Sequence, residues 1–226
     1  MIKFLKIQNP PERPKSFSRA GNKGMSYVEL IVVLAIFAVL SSVVLFNYSK
    51  FQAKVDIKNL SSDIALQIVQ AQKSSLAGLL PPVVQRTNYT DSTWKPSYGV
   101  YFNITAVGGD NKSFIYFTDL NNSSNTPGTQ NSVYDTATCP GSGECLNKIT
   151  ITKGNYISGL AVVYQNGTTA ALNDLTVVFS RNNPSAIIRS STAFTSTVSY
   201  VRIAITSPVS PTGTIKLYPS GRVQVN

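Results

Sequence analysis

From Met25 to Phe46 the chain is almost uninterruptedly apolar, and its single charge is Glu29. These residues would make about 33 Å of helix at about 1.5 Å per residue, against a hydrocarbon core of about 30 Å. The segment is therefore long enough to cross a membrane. It is longer than the apolar region of a secretory signal, which runs roughly 7–15 residues. Signal-type cleavage among the small residues between Ala38 and Ser42 is the alternative, but Glu29 interrupts the apolar block that such a signal needs. A carboxylate inside a membrane helix costs a few kcal/mol and marks a functional position by default.

Charge supports the same reading. The chain of 226 residues carries net +10, and half of that excess precedes Met25, in Lys3, Lys6, Arg13, Lys15, Arg19 and Lys23 against Glu12. A basic flank before an apolar helix is held on the cytoplasmic side. Residues 1–24 also contain Pro10, Pro11 and Pro14 and have no helical periodicity, so they read as a leader without regular structure.

The helical pattern continues past Phe46. Neither Gly nor Pro occurs between Met25 and Ala77. After Asn47 the pattern becomes one-sided: Phe51, Val55, Ile57, Leu60, Ile64, Ile68 and Ala71 recur at mostly three- and four-residue steps. The prediction is one helix of roughly 50 residues, about 75–80 Å, ended by Gly78, Pro81 and Pro82. Residues 25–46 need an apolar surround on every side. Residues 47–78 need a partner along one stripe.

Beyond Val83 the chain turns to short β-branched and aromatic runs. They begin at Tyr98, Ser113, Lys148, Leu160, Leu175, Ala186, Tyr200 and Thr214, with turn residues between them. Asn166-Gly167 is a two-residue hairpin signal. The expected class is α+β: residues 83–226 form a small antiparallel head, one meander or two small sheets, covered by the amphipathic half of the helix. The longest irregular stretch spans residues 119–145.

The chain has no histidine, which removes His general bases and ordinary His-containing zinc sites. No Walker loop, dinucleotide fingerprint or G-x-S-x-G motif is present. With acids this scarce, catalysis is not expected, and no cofactor is implied. Cys139 and Cys145 lie close together in a polar loop and suit a disulfide in an oxidising compartment. Closing that ring is worth about 2.4 kcal/mol in the loop-entropy model.

The motif Lys23-Gly24-Met25-Ser26-Tyr27-Val28-Glu29, followed by an unbroken apolar helix, resembles the prepilin signal of type IV pilins and type II secretion pseudopilins. The resemblance implies removal of residues 1–24 by an aspartic prepilin peptidase, cutting between Gly24 and Met25, and N-methylation of Met25. It implies a subunit inserted with its N-terminus in the cytoplasm and its head periplasmic or extracellular. Its partners would be the peptidase, the membrane, an inner-membrane assembly platform with its ATPase, and other subunits of the filament. Glu29 would pair with the N-terminal amine of a neighbour. In the head, Tyr98-Gly-Val-Tyr-Phe, Phe114-Ile-Tyr-Phe-Thr-Asp-Leu-Asn and Lys216-Leu-Tyr-Pro-Ser-Gly-Arg are similar to minor pseudopilins of the H type and minor pilins of the FimT type. In that family a long N-terminal helix packs on two small antiparallel sheets.

Two weaker signals lie in the head. Asp119 and Asn121, with Asp110 and Asp135 nearby, offer hard oxygens of the kind Ca²⁺ takes, but the stretch fails the EF-hand template, with Ser124 where Gly is required. A solvated loop is the default there. Arg181, Arg189, Arg202, Lys216 and Arg222 make the last third basic. Some FimT-type minor pilins bind DNA, and Arg202 and Arg222 are the candidate contacts if the strands bring them to one surface.

Overall fold

The computed structural model describes residues 24–86, 95–105, 109–120, 130–135, 139, 143–209 and 211–226. All of the expected leader but Gly24 therefore lies outside the described residues, as do Asn121 and much of the 119–145 loop. The chain divides into two units between Leu45 and Phe46.

The molecule is α+β. Helix α1 runs Tyr27–Leu76, 50 residues without a break, and a short helix α2 follows at Val83–Arg86. Ten strands come after: β1 Ser97–Asn103, β2 Ser113–Asp119, β3 Cys145–Thr150, β4 Tyr156–Tyr164, β5 Thr169–Leu172, β6 Asp174–Ser180, β7 Asn183–Arg189, β8 Val198–Thr206, β9 Thr212–Leu217 and β10 Val223–Val225. They form two antiparallel sheets of five strands each, β3-β2-β1-β6-β7 and β10-β9-β8-β4-β5. The helix ends as its sequence predicts. Gly78 takes φ 59°, its N–H bonds the Ser75 carbonyl at 2.9 Å, and the Leu79 N–H bonds the Ser74 carbonyl at 3.1 Å. That pair of bonds is a Schellman cap, which a Cβ-free residue adopts without strain.

Residues Tyr27–Leu45 of α1 expose apolar side chains on every side, Phe37 at 67% and Leu45 at 71% among them. Further along, the buried stripe is Ala53, Ile57, Ser61, Ile64, Ile68, Ala71 and Ser75, at three- and four-residue steps. One of the stripe's expected members needs correcting. Phe51 is 65% exposed, and the buried place belongs to Ala53. At about 100° per residue the two positions lie about 160° apart, and residue 53, not 51, falls in line with Ile57, Ile64, Ile68 and Ala71. Two serines join the stripe because their hydroxyls are paired. Ser61 Oγ donates back to the Ile57 carbonyl at 2.8 Å. Ser75 Oγ donates to the Phe179 carbonyl at 2.6 Å and accepts from the Tyr98 N–H at 2.8 Å.

The stripe meets both sheets. A Cβ on Gly213 of β9 would fall 2.7 Å from Ser61 Oγ and 2.8 Å from an Ile57 methyl, so the helix passes close over the second sheet. The Ser75 bonds fix its last turn to β1 and β6 of the first sheet. Between helix and sheets, Ile64, Ile68, Val100, Phe102, Phe179, Val201, Ile203, Ile215 and Leu217 belong to one buried cluster. A core residue such as Ile68, fully out of water, is worth roughly 1.5–3 kcal/mol.

The Asn166-Gly167 hairpin joins β4 to β5, but through a three-residue loop. The Tyr164 N–H bonds the Thr168 carbonyl at 2.9 Å, and the Gly167 N–H bonds the Tyr164 carbonyl at 3.0 Å. Of the three loop residues 165–167, only Gly167 has a positive φ, 84°. The two-residue type I′ form needs positive φ at both central residues, so this hairpin takes the longer form with glycine in the left-handed place.

Candidate functional site

Gly24, Met25 and Ser26 precede α1, and the first helical bond runs from the Leu30 N–H to the Ser26 carbonyl at 3.0 Å. Glu29 lies in the first turn, where the helix N-terminus favours negative charge. Its side chain is exposed, and among the described residues none forms an ion pair with it. Among the described residues, its chain neighbours aside, nothing lies within 4 Å of where a Cβ on Gly24 would sit. Against the described residues, then, position 24 has no steric need for glycine. By length and composition α1 is apolar enough to cross a membrane, in the part nearest the N-terminus.

Cys139 and Cys145 form a disulfide, with Cα atoms 5.4 Å apart. Cys145 opens β3, and Gln85 of α2 donates to the carbonyls of Gly143 at 2.7 Å and Cys145 at 3.2 Å. The short helix and the disulfide thus hold the start of one edge strand.

Asp119 and Glu144 organise the described parts of the irregular stretch. Glu144 accepts from the Leu120 N–H at 3.0 Å through one oxygen and from the Asp135 N–H at 2.9 Å through the other. One carboxylate therefore gathers two points fifteen residues apart in the chain. Asp119, fully buried at the end of β2, accepts from the Ser132 N–H at 2.8 Å. Tyr134 sets its ring 5.0 Å from Tyr101 and 5.3 Å from Phe117, which lie on the face of the first sheet turned away from α1. Among the described residues no partner meets Asp119 Oδ1 or the Tyr134 hydroxyl. Burial pushes the Asp119 carboxyl up to about 7, against its bond from Ser132 and with help from the neighbouring Glu144 and Asp135 charges. Burial, again the largest cause, pushes the Tyr134 phenol up to about 12, with Glu144 and Tyr101 adding to it. Among the described residues no three His, Cys, Asp or Glu side chains are placed to hold a metal ion. Asp119 serves here as a buried anchor of the loop, and Asn121 lies outside the described residues.

A pH dependence follows from Asp119. The unfolded carboxyl titrates near 3.9, the folded one near 7, so folding takes up a proton between about 4 and 7. Stability is greatest below that window and falls as pH rises through it, by about 1.4 kcal/mol per unit of separation. Thermal melts from pH 5 to 8 are expected to show a falling midpoint in the native chain and a flatter profile in Asp119→Asn, which keeps an acceptor for Ser132. A midpoint that rises over this range in the native chain would contradict the assignment.

Three of the five late basic residues come together. Arg202 is exposed on β8 and lies directly across from Lys216 of β9, which in turn pairs with Gln224 of β10. Lys216 Nζ lies 5.3 Å from the centre of the Tyr200 ring. The Arg222 guanidinium lies 3.9 Å from the centre of the Tyr218 ring, and the two tyrosine rings are 5.6 Å apart. Both contacts are at cation–π distance. The strands of this second sheet carry no acid, and none follows Asp174 to the end of the chain. Arg181 and Arg189 go elsewhere. Arg181 sits between β6 and β7, its guanidinium stem beside Gly78 at the end of α1, and Arg189 closes β7 in the first sheet. The tyrosines were not among the residues expected to share this face; their alternation with the basic residues along β8 and β9 was the available signal.

No protein-family model, no curated protein and no solved structure matches the chain.

Proposed function

We propose that the chain is a minor structural subunit of a type IV pilus or a type II secretion pseudopilus. The observation that carries this reading is the division of α1. Tyr27–Leu45 is apolar and exposed all round, with one carboxylate in its first turn and no ion-pair partner for it among the described residues, while from Ala53 on a single stripe is buried. A helix of that kind needs lipid before assembly and the apolar centre of a helical bundle after it. In this reading a prepilin peptidase cuts between Gly24 and Met25, Met25 is methylated, and an ATP-driven platform in the inner membrane adds subunits helix to helix. The function is assembly, not catalysis.

The test is cross-linking of intact cells with recovery of the surface-sheared or filament fraction. The chain is expected there, linked through positions such as Leu34 and Leu40 to other apolar helices. Recovery from the membrane fraction alone, never cross-linked to another subunit, would favour a membrane-anchored domain that does not polymerise.

A second reading is DNA binding by the second sheet, favoured by the acid-free cluster of Arg202, Lys216 and Arg222 with Tyr200 and Tyr218. Each phosphate contact contributes about 0.9 to the slope of log affinity against log salt. Three contacts predict a slope of about −2.7 for duplex DNA, and the double change Arg202→Ala, Arg222→Ala is expected to flatten it by about two. No retention of duplex DNA by the detergent-solubilised chain at low salt would remove this reading.

A further inference from the structure

The chain contains eight Asn-x-Ser/Thr triplets, headed by Asn47, Asn59, Asn88, Asn103, Asn111, Asn121, Asn122 and Asn166. Such a triplet is an acceptor for N-linked sugar only where an exported chain presents it on an accessible loop. Asn88, Asn121 and Asn122 lie outside the described residues. The structure separates the other five.

Asn47 and Asn59 are inside α1, where the backbone is committed to helical hydrogen bonds, and Ser61 is buried with its hydroxyl on the Ile57 carbonyl. In the Asn111 triplet the Ser113 residue is buried and its hydroxyl donates to Asp110 at 2.7 Å. Asn103 is half-buried at the end of β1, its Oδ1 accepts from the Thr105 N–H at 2.9 Å, and its side chain also bonds the Tyr101 hydroxyl. Asn47 and Asn59 are thus held in helical backbone, and the Asn103 and Asn111 triplets are partly buried.

Asn166 is exposed on a loop, and the hydroxyl of its triplet is bonded to its own side chain. It sits at the tip of the β4–β5 hairpin, and residues 165–169 are exposed without a break. Its Oδ1 accepts from the Thr168 N–H at 3.0 Å and from Thr168 Oγ1 at 2.7 Å. No described residue accepts a hydrogen bond from its Nδ2. Two donors on the carbonyl oxygen hold the side chain with its nitrogen turned outward, and the hydroxyl of the triplet is already beside the amide. A Cβ on Gly167 would meet nothing within 4 Å, so the tip is open to an approaching enzyme.

We propose that Asn166 is a glycosylation site, taking an N-linked glycan from a polyprenyl diphosphate-linked saccharide. The Asn166 Nδ2 forms a bond to the anomeric carbon of the first sugar. The bond from that carbon to the diphosphate oxygen breaks, and the electron pair leaves with the polyprenyl diphosphate. One amide proton passes to a base of the transferase. The site has a physical use. Among the described residues β5 is the outer strand of the second sheet, and no strand pairs with its far backbone edge. A glycan at the tip beside that edge obstructs strand-to-strand pairing with another chain.

The inference rests on the proposed export of the head, and the experiment keeps the two apart. The full chain is purified from its native host, and the peptide spanning residues 154–181, which contains no other Asn-x-Ser/Thr triplet, is fragmented with the glycan retained. Protease is applied in parallel to intact spheroplasts. The expected result is a saccharide mass localised to Asn166, absent in Asn166→Gln and Thr168→Ala and retained in Thr168→Ser. A head accessible to protease whose 154–181 peptide carries no sugar overturns the inference and leaves the export reading standing. Sugar that persists on this peptide in Thr168→Ala also overturns it. A head protected from protease overturns the export reading, and the inference with it.

Discussion

Glu29→Ala is expected to leave the mature chain abundant in the membrane and nearly absent from filaments. The substitution removes the one charge of the apolar segment, so insertion becomes easier. Cleavage after Gly24 is expected to proceed, because the bond to be cut lies before the helix begins. On the proposed reading, what is lost is a partner for a neighbour's N-terminal amine in the apolar centre of the filament. Breaking one side of a buried ion pair costs about 3–5 kcal/mol, since the other charge stays buried alone. At about 1.4 kcal/mol per tenfold, that is between two and four orders of magnitude in the assembly equilibrium. The check is a filament-to-membrane ratio by immunoblot, with the mass of the N-terminus measured on the same sample. Glu29→Gln keeps the shape and is expected to fail almost as badly. A Glu29→Ala chain found in filaments at the native ratio would mean that the carboxylate has no partner in the assembly.

Gly24→Ala is expected to block processing completely while leaving the fold untouched. The two effects separate because of what surrounds position 24. Among the described residues, its chain neighbours aside, no atom lies within 4 Å of a Cβ there, and the residue is exposed ahead of the first helical turn. On the proposed reading, a requirement for glycine comes from the peptidase that holds the backbone as it cuts. The variant should retain the basic leader, run as the heavier form, and show the native thermal midpoint. Contrast Gly99 in β1, where a Cβ would stand 2.6 Å from the Val177 carbonyl oxygen and 2.7 Å from the Phe117 ring. Substitution there would damage the head itself, so it serves as the control for a merely structural loss. A fully processed Gly24→Ala chain would contradict the assignment of the cleavage site.

The long helix was readable because its signals are local. The absence of Gly and Pro to Ala77 and the Gly78 cap both act within one or two turns. Eight strands could be seen in runs of β-branched and aromatic residues. β5, Thr169-Ala-Ala-Leu172, has little of that character, and β10 has three residues, so both are defined by their partners more than by themselves. Serines 61 and 75 were unreadable as core because their burial depends on acceptors far away or one turn back, such as the Phe179 carbonyl. Charge clustering was hidden for a similar reason. Arg202 and Lys216 become neighbours only through the β8–β9 register, and the tyrosines beneath them come with it. Glu144 shows the same limit: nothing in its sequence neighbourhood shows that it binds Leu120 and Asp135 together.

The central claim is that Gly24–Glu29 is a processing and assembly signal and not the start of a plain anchor. The most direct measurement is the intact mass and N-terminal fragmentation of the chain isolated from cells with an active prepilin peptidase. The account predicts a chain that begins at Met25 and carries one methyl group on its α-amine. A chain that still begins upstream of Met25 in those cells would contradict it.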